Sequence, residues 1–233
     1  MIRQIHQRLK DYQDRLGAQY GRDISTPAAR RAAKWHFQLS DHAFLRVFWT
    51  NLSQFAPGAW RANQPSPAQF ARYARMGIRT VINLRGASGQ SFWLFEDEAC
   101  RALGMTLIDV NLSARQAPGR DRLLTLQSIL TSAERPFLIH CKSGADRTGL
   151  VAALYLIWVE GKSVAEAQRQ LSWRHVHLSF GKTGILDHVL RLYARAQAAS
   201  GIGLLDWITT AYSDAEVTAS YKRWQAGGKD GAW

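Results

Sequence analysis

The chain has 233 residues, with 30 Lys and Arg against 18 Asp and Glu and a formal charge of +12. That balance steers it toward anions such as nucleic acid, an acidic membrane surface or phosphorylated substrates. At 46% hydrophobic and 21% charged it is not a disordered chain, and its two cysteines, Cys100 and Cys141, exclude a disulfide framework.

Residues 1–57 read as a basic, helical N-terminal extension. Its opening, MIRQIHQRLKDYQDRLG, has no apolar core and does not read as a secretory signal. The first 35 residues carry Arg3, Arg8, Lys10, Arg15, Arg22, Arg30, Arg31 and Lys34 against Asp11, Asp14 and Asp23. Trp35, Phe37, Phe44, Leu45, Phe48 and Trp49 follow. Their spacing fits core packing, and a basic stretch followed by Trp and Phe also fits an interfacial anchor.

A second unit is expected over 58–225. Ser66-Pro67 caps a helix that closes at Gly77. RTVINL (79–84) is a buried strand, 91–103 a helix ending at Gly104, and 105–112 the next strand. Cys100, inside that helix, reads as a small packing residue. Residues 120–133 form a helix with a leucine stripe, and PFLIH (136–140) is a strand. GLVAALYLIWV (149–159) is apolar on all sides and reads as a central buried helix. Helices are expected over 163–172, 184–198 and 204–225, and 226–233 is a flexible tail. The fold class expected is α/β, a three-layer domain with a mostly parallel central sheet flanked by helices and extra N- and C-terminal helices. The apolar run 150–159 falls short of the ~20 residues a bilayer span needs. The expected location is therefore cytoplasmic, with peripheral contact to an anionic inner-membrane surface left open.

HCKSGADRTG (140–149) falls between a strand and an apolar helix, so its loop opens at a helix N-terminus and cradles phosphate with free N–H groups. Cys141 at the loop mouth becomes a stabilised thiolate and the nucleophile. Lys142, Ser143, Gly144, Ala145, Asp146, Arg147 and Thr148 are the expected substrate-binding residues. Gly144 lets the backbone approach, and Arg147 offers a planar fork to two phosphate oxygens. Thr148 can donate to the sulfur, and His140 would orient the loop.

The stretch resembles the protein tyrosine phosphatase signature H-C-x-x-G-x-x-R-[ST]-G, and is closest to the bacterial dual-specificity-like branch of that superfamily. WRANQPSPAQFARYARMGIRTVINLRG (60–86) is similar to that branch's Y-R-S-x-Q-P segment, helix and T-V-I-N-L-R strand, so the likeness spans about 58–172. It implies a cysteine-dependent phosphatase that hydrolyses phosphate monoesters through a phosphocysteine, with Cys141 and Arg147 catalytic and no cofactor or metal.

The resemblance also implies an Asp about thirty residues before the cysteine to protonate the leaving oxygen. Here that loop reads LSARQAPGRD (112–121), with Ser113 and Ala114 where the acid would stand. Three candidates remain. Asp146, inside the loop, resembles the C-x-x-G-x-D-R variant of myotubularins and is the favoured acid, against a structural salt bridge to an arginine. Asp109 is expected mid-strand, and Asp121 at a helix start where its charge suits the dipole.

Lys142 beside the nucleophile, with Arg115 and Lys182 as rim candidates, suits a substrate with more than one anionic group. A phosphorylated lipid or glycolipid and a phosphotyrosine protein both qualify. The alternatives are a phosphate-binding pseudophosphatase or scaffold and a rhodanese-like sulfurtransferase. A nucleic-acid partner is not expected, because charge alone supports it.

Overall fold

The computed structural model describes residues 21–227. Five strands form one sheet in the order β1-β2-β5-β3-β4, with β1 Ser53–Ala56, β2 Ala59–Ala62, β3 Thr80–Asn83, β4 Thr106–Asp109 and β5 Phe137–His140. β1 pairs antiparallel with β2, and every other pairing is parallel, as expected for strands separated by helices. In register, Ala62 and Asn83 both stand beside His140, so three strands deliver their C-terminal ends to one point. That point is where the loop 141–145 begins.

The helices are α1 Pro27–Leu39, α2 Pro67–Arg75, α3 Ser91–Ala102, α4 Arg120–Ser132, α5 Asp146–Trp158, α6 Val164–Ala167, α7 Ile185–Ser200, α8 Leu204–Thr210 and α9 Asp214–Gln225. Ser66 and Gln69 form the capping box that starts α2. α5 is buried continuously from Thr148 to Leu156, which explains its apolar sequence on every side. It packs between the sheet and α4, α7 and α8, and one core cluster runs through all of them.

Three expectations change. The segment 204–225 is two helices, because Ser213 leaves the helical conformation and caps α9 through Glu216 N–H. The segment 163–172 is only one α-turn followed by a 3-10 turn at Gln168–Gln170. The boundary drawn at 57/58 falls between β1 and β2, a hairpin of the central sheet. α1 and the 3-10 turn Ala43–Val47 lie against α3, where Ala33, Phe37 and Ala43 pack with Phe92 and Phe95. The basic residues of 1–20 and the tail from 228 on lie outside the described residues.

Candidate active site

β5 ends at His140, α5 begins at Asp146, and the five residues between them wrap a concave loop. α5 has no side-chain cap, so its N-terminal N–H groups stay available for an anion. Gly144 has φ +73°, and a Cβ there would sit 2.7 Å from the carbonyl carbon and oxygen of Ala62. Only glycine fits, since rigid backbone blocks any side chain.

The Cys141 side chain is buried. Burial alone would raise its pKa. The Arg147 charge, the Thr148 hydroxyl and the N–H groups of Thr148 and Gly144 outweigh it and hold the thiol below its ordinary value. Arg147 is only loosely tethered, with Nη1 donating at 3.4 Å to the carbonyls of Leu84 and Leu112. Its buried Nε has no partner, which leaves that donor free for an oxyanion. Cys100 behaves as expected: buried in α3, its thiol is pushed up to about 12 by desolvation, helped by Glu96 and Asp109.

The loop is held from behind by residues the sequence did not single out. Arg61, fully buried in β2, donates Nη2 to the Gly144 carbonyl at 2.7 Å and Nη1 to the Gln170 carbonyl at 2.9 Å. Burial draws its pKa down to about 10, opposed by the charge at Cys141. Asn51 donates to the carbonyls of Ser143 and His175, both at 3.1 Å. Arg61 lies within the WRANQP segment whose likeness was legible, whereas Asn51 carried no signal.

A chain of polar contacts leads away from the loop. His140 Nε2 meets Glu96 Oε1 at 2.6 Å, and Gln64 Nε2 donates to Glu96 Oε2 at 2.9 Å. Arg85 Nη1 donates to Gln64 Oε1 at 2.9 Å and, through both Nη atoms, to the buried carboxylate of Asp41. Arg46 bonds the same carboxylate at 2.5 Å, and Lys142 Nζ lies 3.6 Å from it. Desolvation would raise the Asp41 pKa, but the three cations, Arg85 foremost, keep it below the usual carboxylate value. Three positive side chains therefore share one negative charge beside the loop.

Asp146 does not pair with an arginine. Its Oδ1 accepts from His177 Nδ1–H at 2.7 Å, and His177 Nε2–H donates to Asp187 Oδ2 at 2.7 Å. Desolvation would lower the His177 pKa, but the two carboxylates raise it to about 9. The Asp146 side chain stays 21% exposed at the loop, while that of Asp187 is buried. The other acid candidates are occupied elsewhere. Asp109 ends β4 rather than lying mid-strand, and it accepts from Asn83 Nδ2 at 2.7 Å and Trp93 Nε1 at 3.0 Å. Asp121 stands exposed in the first turn of α4, where its charge suits the dipole. Ser113 and Ala114 lie on the 111–119 loop with exposed Arg115, and Lys182 is exposed on the 3-10 turn Gly181–Gly184.

The profile of the family described as "DSP-PTPase phosphatase fused to NAD+ Kinase" matches residues 52–183, more than half of the chain. The chain belongs to this family. This DSP-PTPase is 34% identical over 115 residues to the dual specificity protein phosphatase TpbA of Pseudomonas aeruginosa, a match covering 48% of this chain and 48% of that protein. It thus spans about half the length of the curated relatives it matches. Among solved structures, a mutant form of Tk-PTP superposes with a TM-score of 0.52 at 18% identity, covering 64% of this chain and 97% of that one, a likeness of fold. The crystal structure of P. aeruginosa TpbA gives 0.48 at 24% identity, over 63% and 84% of the two chains. The DSP-PTPase match begins at residue 52, so Asp41 and Arg46 come from outside it, and so does Asp187.

Proposed function

We propose that this DSP-PTPase hydrolyses phosphate monoesters through a phosphocysteine on Cys141. The observation that carries the reading is the buried sulfur, held below the ordinary thiol pKa at the floor of an uncapped helix N-terminus, with the Arg147 charge acting on it and the Arg147 Nε donor unfilled. Cys141 Sγ attacks phosphorus, the bond from phosphorus to the ester oxygen breaks, and the departing oxygen takes a proton. Water then attacks phosphorus, the P–S bond breaks, and the thiolate returns. Arg147 and the loop N–H groups hold the charge that spreads over the equatorial oxygens.

Asp146 supplies that proton in this reading, with His177 behind it. His177 remains protonated through the neutral range. Passing its Nδ1 proton to Asp146 Oδ1 lets Asp146 give one to the leaving oxygen. The second step reverses the transfer, with water as the source. Asp187 is a positioning residue that fixes the ring from its far side.

The flank formed by Arg46, Arg85 and Lys142 around one carboxylate keeps net positive charge next to the loop. That favours a phosphate on a carrier with further anionic groups, as in a phosphorylated lipid or glycolipid, over an isolated phosphotyrosine. The deciding experiment assays phosphorylated lipids, phosphotyrosine peptides and inositol phosphates with the wild type and Cys141→Ser. Turnover of the lipid phosphates that vanishes in the variant supports the reading. Undiminished turnover in Cys141→Ser defeats the mechanism, and phosphotyrosine peptides turned over far faster than lipids defeat the substrate assignment.

A further inference from the structure

Because β2, β3, β4 and β5 are parallel, one end of the molecule collects all their C-termini together with the phosphate loop. Three segments cover that end. α1 reaches it through His36 Nδ1 and Ser91 Oγ, 2.7 Å apart. Residues 41–51 reach it through Asp41 beside Lys142 and Asn51 on Ser143. Residues 173–180 reach it through His175 on Asn51 and His177 on Asp146.

Among the described residues, ten of the twelve exposed large apolar side chains lie within 35–49 and 173–180. The most open are Phe48 at 93%, Trp173 at 73%, Phe180 at 69% and Trp35 at 67%. Apolar exposure is normally scattered over a soluble surface, so its concentration on one end marks a contact surface. The charge on these segments is predominantly positive. Between residues 27 and 52 the only acid is Asp41, which is buried, and between 167 and 186 there is none. Arg31 and Lys34 stand beside Trp35 in α1, where Arg30 is paired with Glu98 of α3, and Arg174 and Lys182 lie within and just after the second aromatic segment. A second copy docking here would set one net positive face against another. An anionic bilayer satisfies both features, taking the aromatic side chains at its headgroup boundary and the Lys and Arg at its lipid phosphates.

We propose that this end of the molecule is a docking face for an anionic phospholipid bilayer, which turns the Cys141 loop toward the membrane. The sequence offered residues 1–57 as an interfacial segment; among the described residues, the structure places 35–49 and 173–180, far apart in the chain, around the loop. The face concerns where the protein sits, so it can be tested separately from the phosphatase reading, although a lipid-phosphate substrate would explain it.

The test is co-sedimentation of the full chain with phosphatidylglycerol–phosphatidylcholine vesicles and with pure phosphatidylcholine vesicles. The wild type should bind the anionic vesicles much more tightly, and added salt should weaken that binding. Replacing Phe48, Trp173 and Phe180 together by Ser should weaken it roughly 100-fold through lost apolar burial. Circular dichroism should stay unchanged, because all three side chains are exposed, and so should turnover of soluble p-nitrophenyl phosphate. Failure of the wild type to sediment with anionic vesicles would overturn the proposal. So would wild-type binding by the triple variant, or a wild-type dimer that the variant converts to monomer. Loss of p-nitrophenyl phosphate turnover in the wild type itself would count against the phosphatase reading and leave the sedimentation result standing.

Discussion

His177 bridges two carboxylates that are distant in sequence, Asp146 at the start of α5 and Asp187 in the first turn of α7, with 2.7 Å on either side of its ring. The bridge ties the phosphate loop to the C-terminal helices and keeps a proton one hydrogen bond away from the loop.

The bridge makes stability depend on pH. His177 titrates at 6.5 when unpaired and at about 9 in the folded chain, so folding is strengthened by its protonation. That contribution is fully present below the unpaired value and is lost as pH rises through the folded one. The wild-type melting temperature should therefore fall on passing from neutral pH to above 9, and His177→Gln should flatten that fall. The variant should also be less stable at neutral pH by about 3–5 kcal/mol, the cost of stranding buried charge. Thermal melts of both proteins across the range check this, and parallel slopes would remove His177 from the linkage.

What could be read in advance divides by how local each signal is. The strand and helix around Cys141, the Ser66-Pro67 helix cap and the glycine at 144 each rest on a few neighbouring residues, so periodicity and spacing expose them. Asp187 pairs with His177 from ten residues further on, beyond a 3-10 turn, and Asp41 meets Arg85 across 44, so no short pattern contains either pair. The β1 strand, SQFA, is four residues long and largely half-buried at the sheet edge, too short for alternation to show. The break between α8 and α9 was hidden because residues on both sides suit a helix, and only the Ser213 cap marks the new start.

Gly144→Ala should abolish turnover with little loss of secondary structure. The new Cβ would meet backbone atoms of Ala62 and Asn63 at 2.7–2.8 Å, and φ at +73° is costly for alanine. The loop must shift, and the Cys141 sulfur and the Arg147 donors lose their common focus. Single-turnover kinetics with p-nitrophenyl phosphate, together with circular dichroism, measure both effects. Near-normal turnover would mean the loop geometry tolerates what the backbone contact forbids.

Asp41→Asn should destabilise the chain and impair the site together. The neutral amide leaves Arg46, Arg85 and Lys142 clustered without their shared counter-charge, a loss of about 3–5 kcal/mol by analogy with other broken buried pairs. Arg85 also holds Gln64, whose backbone N–H donates to the Lys142 carbonyl at 3.2 Å, so the disturbance reaches the loop. Chemical denaturation of wild type and variant reads the first effect, and kcat/KM on a soluble ester reads the second. An unchanged denaturation midpoint would show that the cluster is solvated and makes no net contribution.

The proton donor can be identified by comparing leaving groups. General acid catalysis contributes about 10²–10⁴-fold, and it matters most when the leaving alcohol is a poor one. An alkyl phosphate releases a strongly basic alkoxide, which needs the proton, whereas p-nitrophenolate leaves with little help. Asp146→Asn should therefore depress kcat on an alkyl phosphate far more than on p-nitrophenyl phosphate. The alkaline limb of the wild-type profile should fall near the His177 value of about 9, since deprotonating that ring empties the pair. Asp146→Asn should erase that limb. His177→Gln should show the same preference for loss on the alkyl ester, because Asp146 then has no proton source behind it. A merely structural pair would lower both substrates by one factor and leave the limb in place. Equal losses on the two esters would sink the assignment and turn attention to Asp109 and Asp121, whose Asn variants would then be measured in the same way.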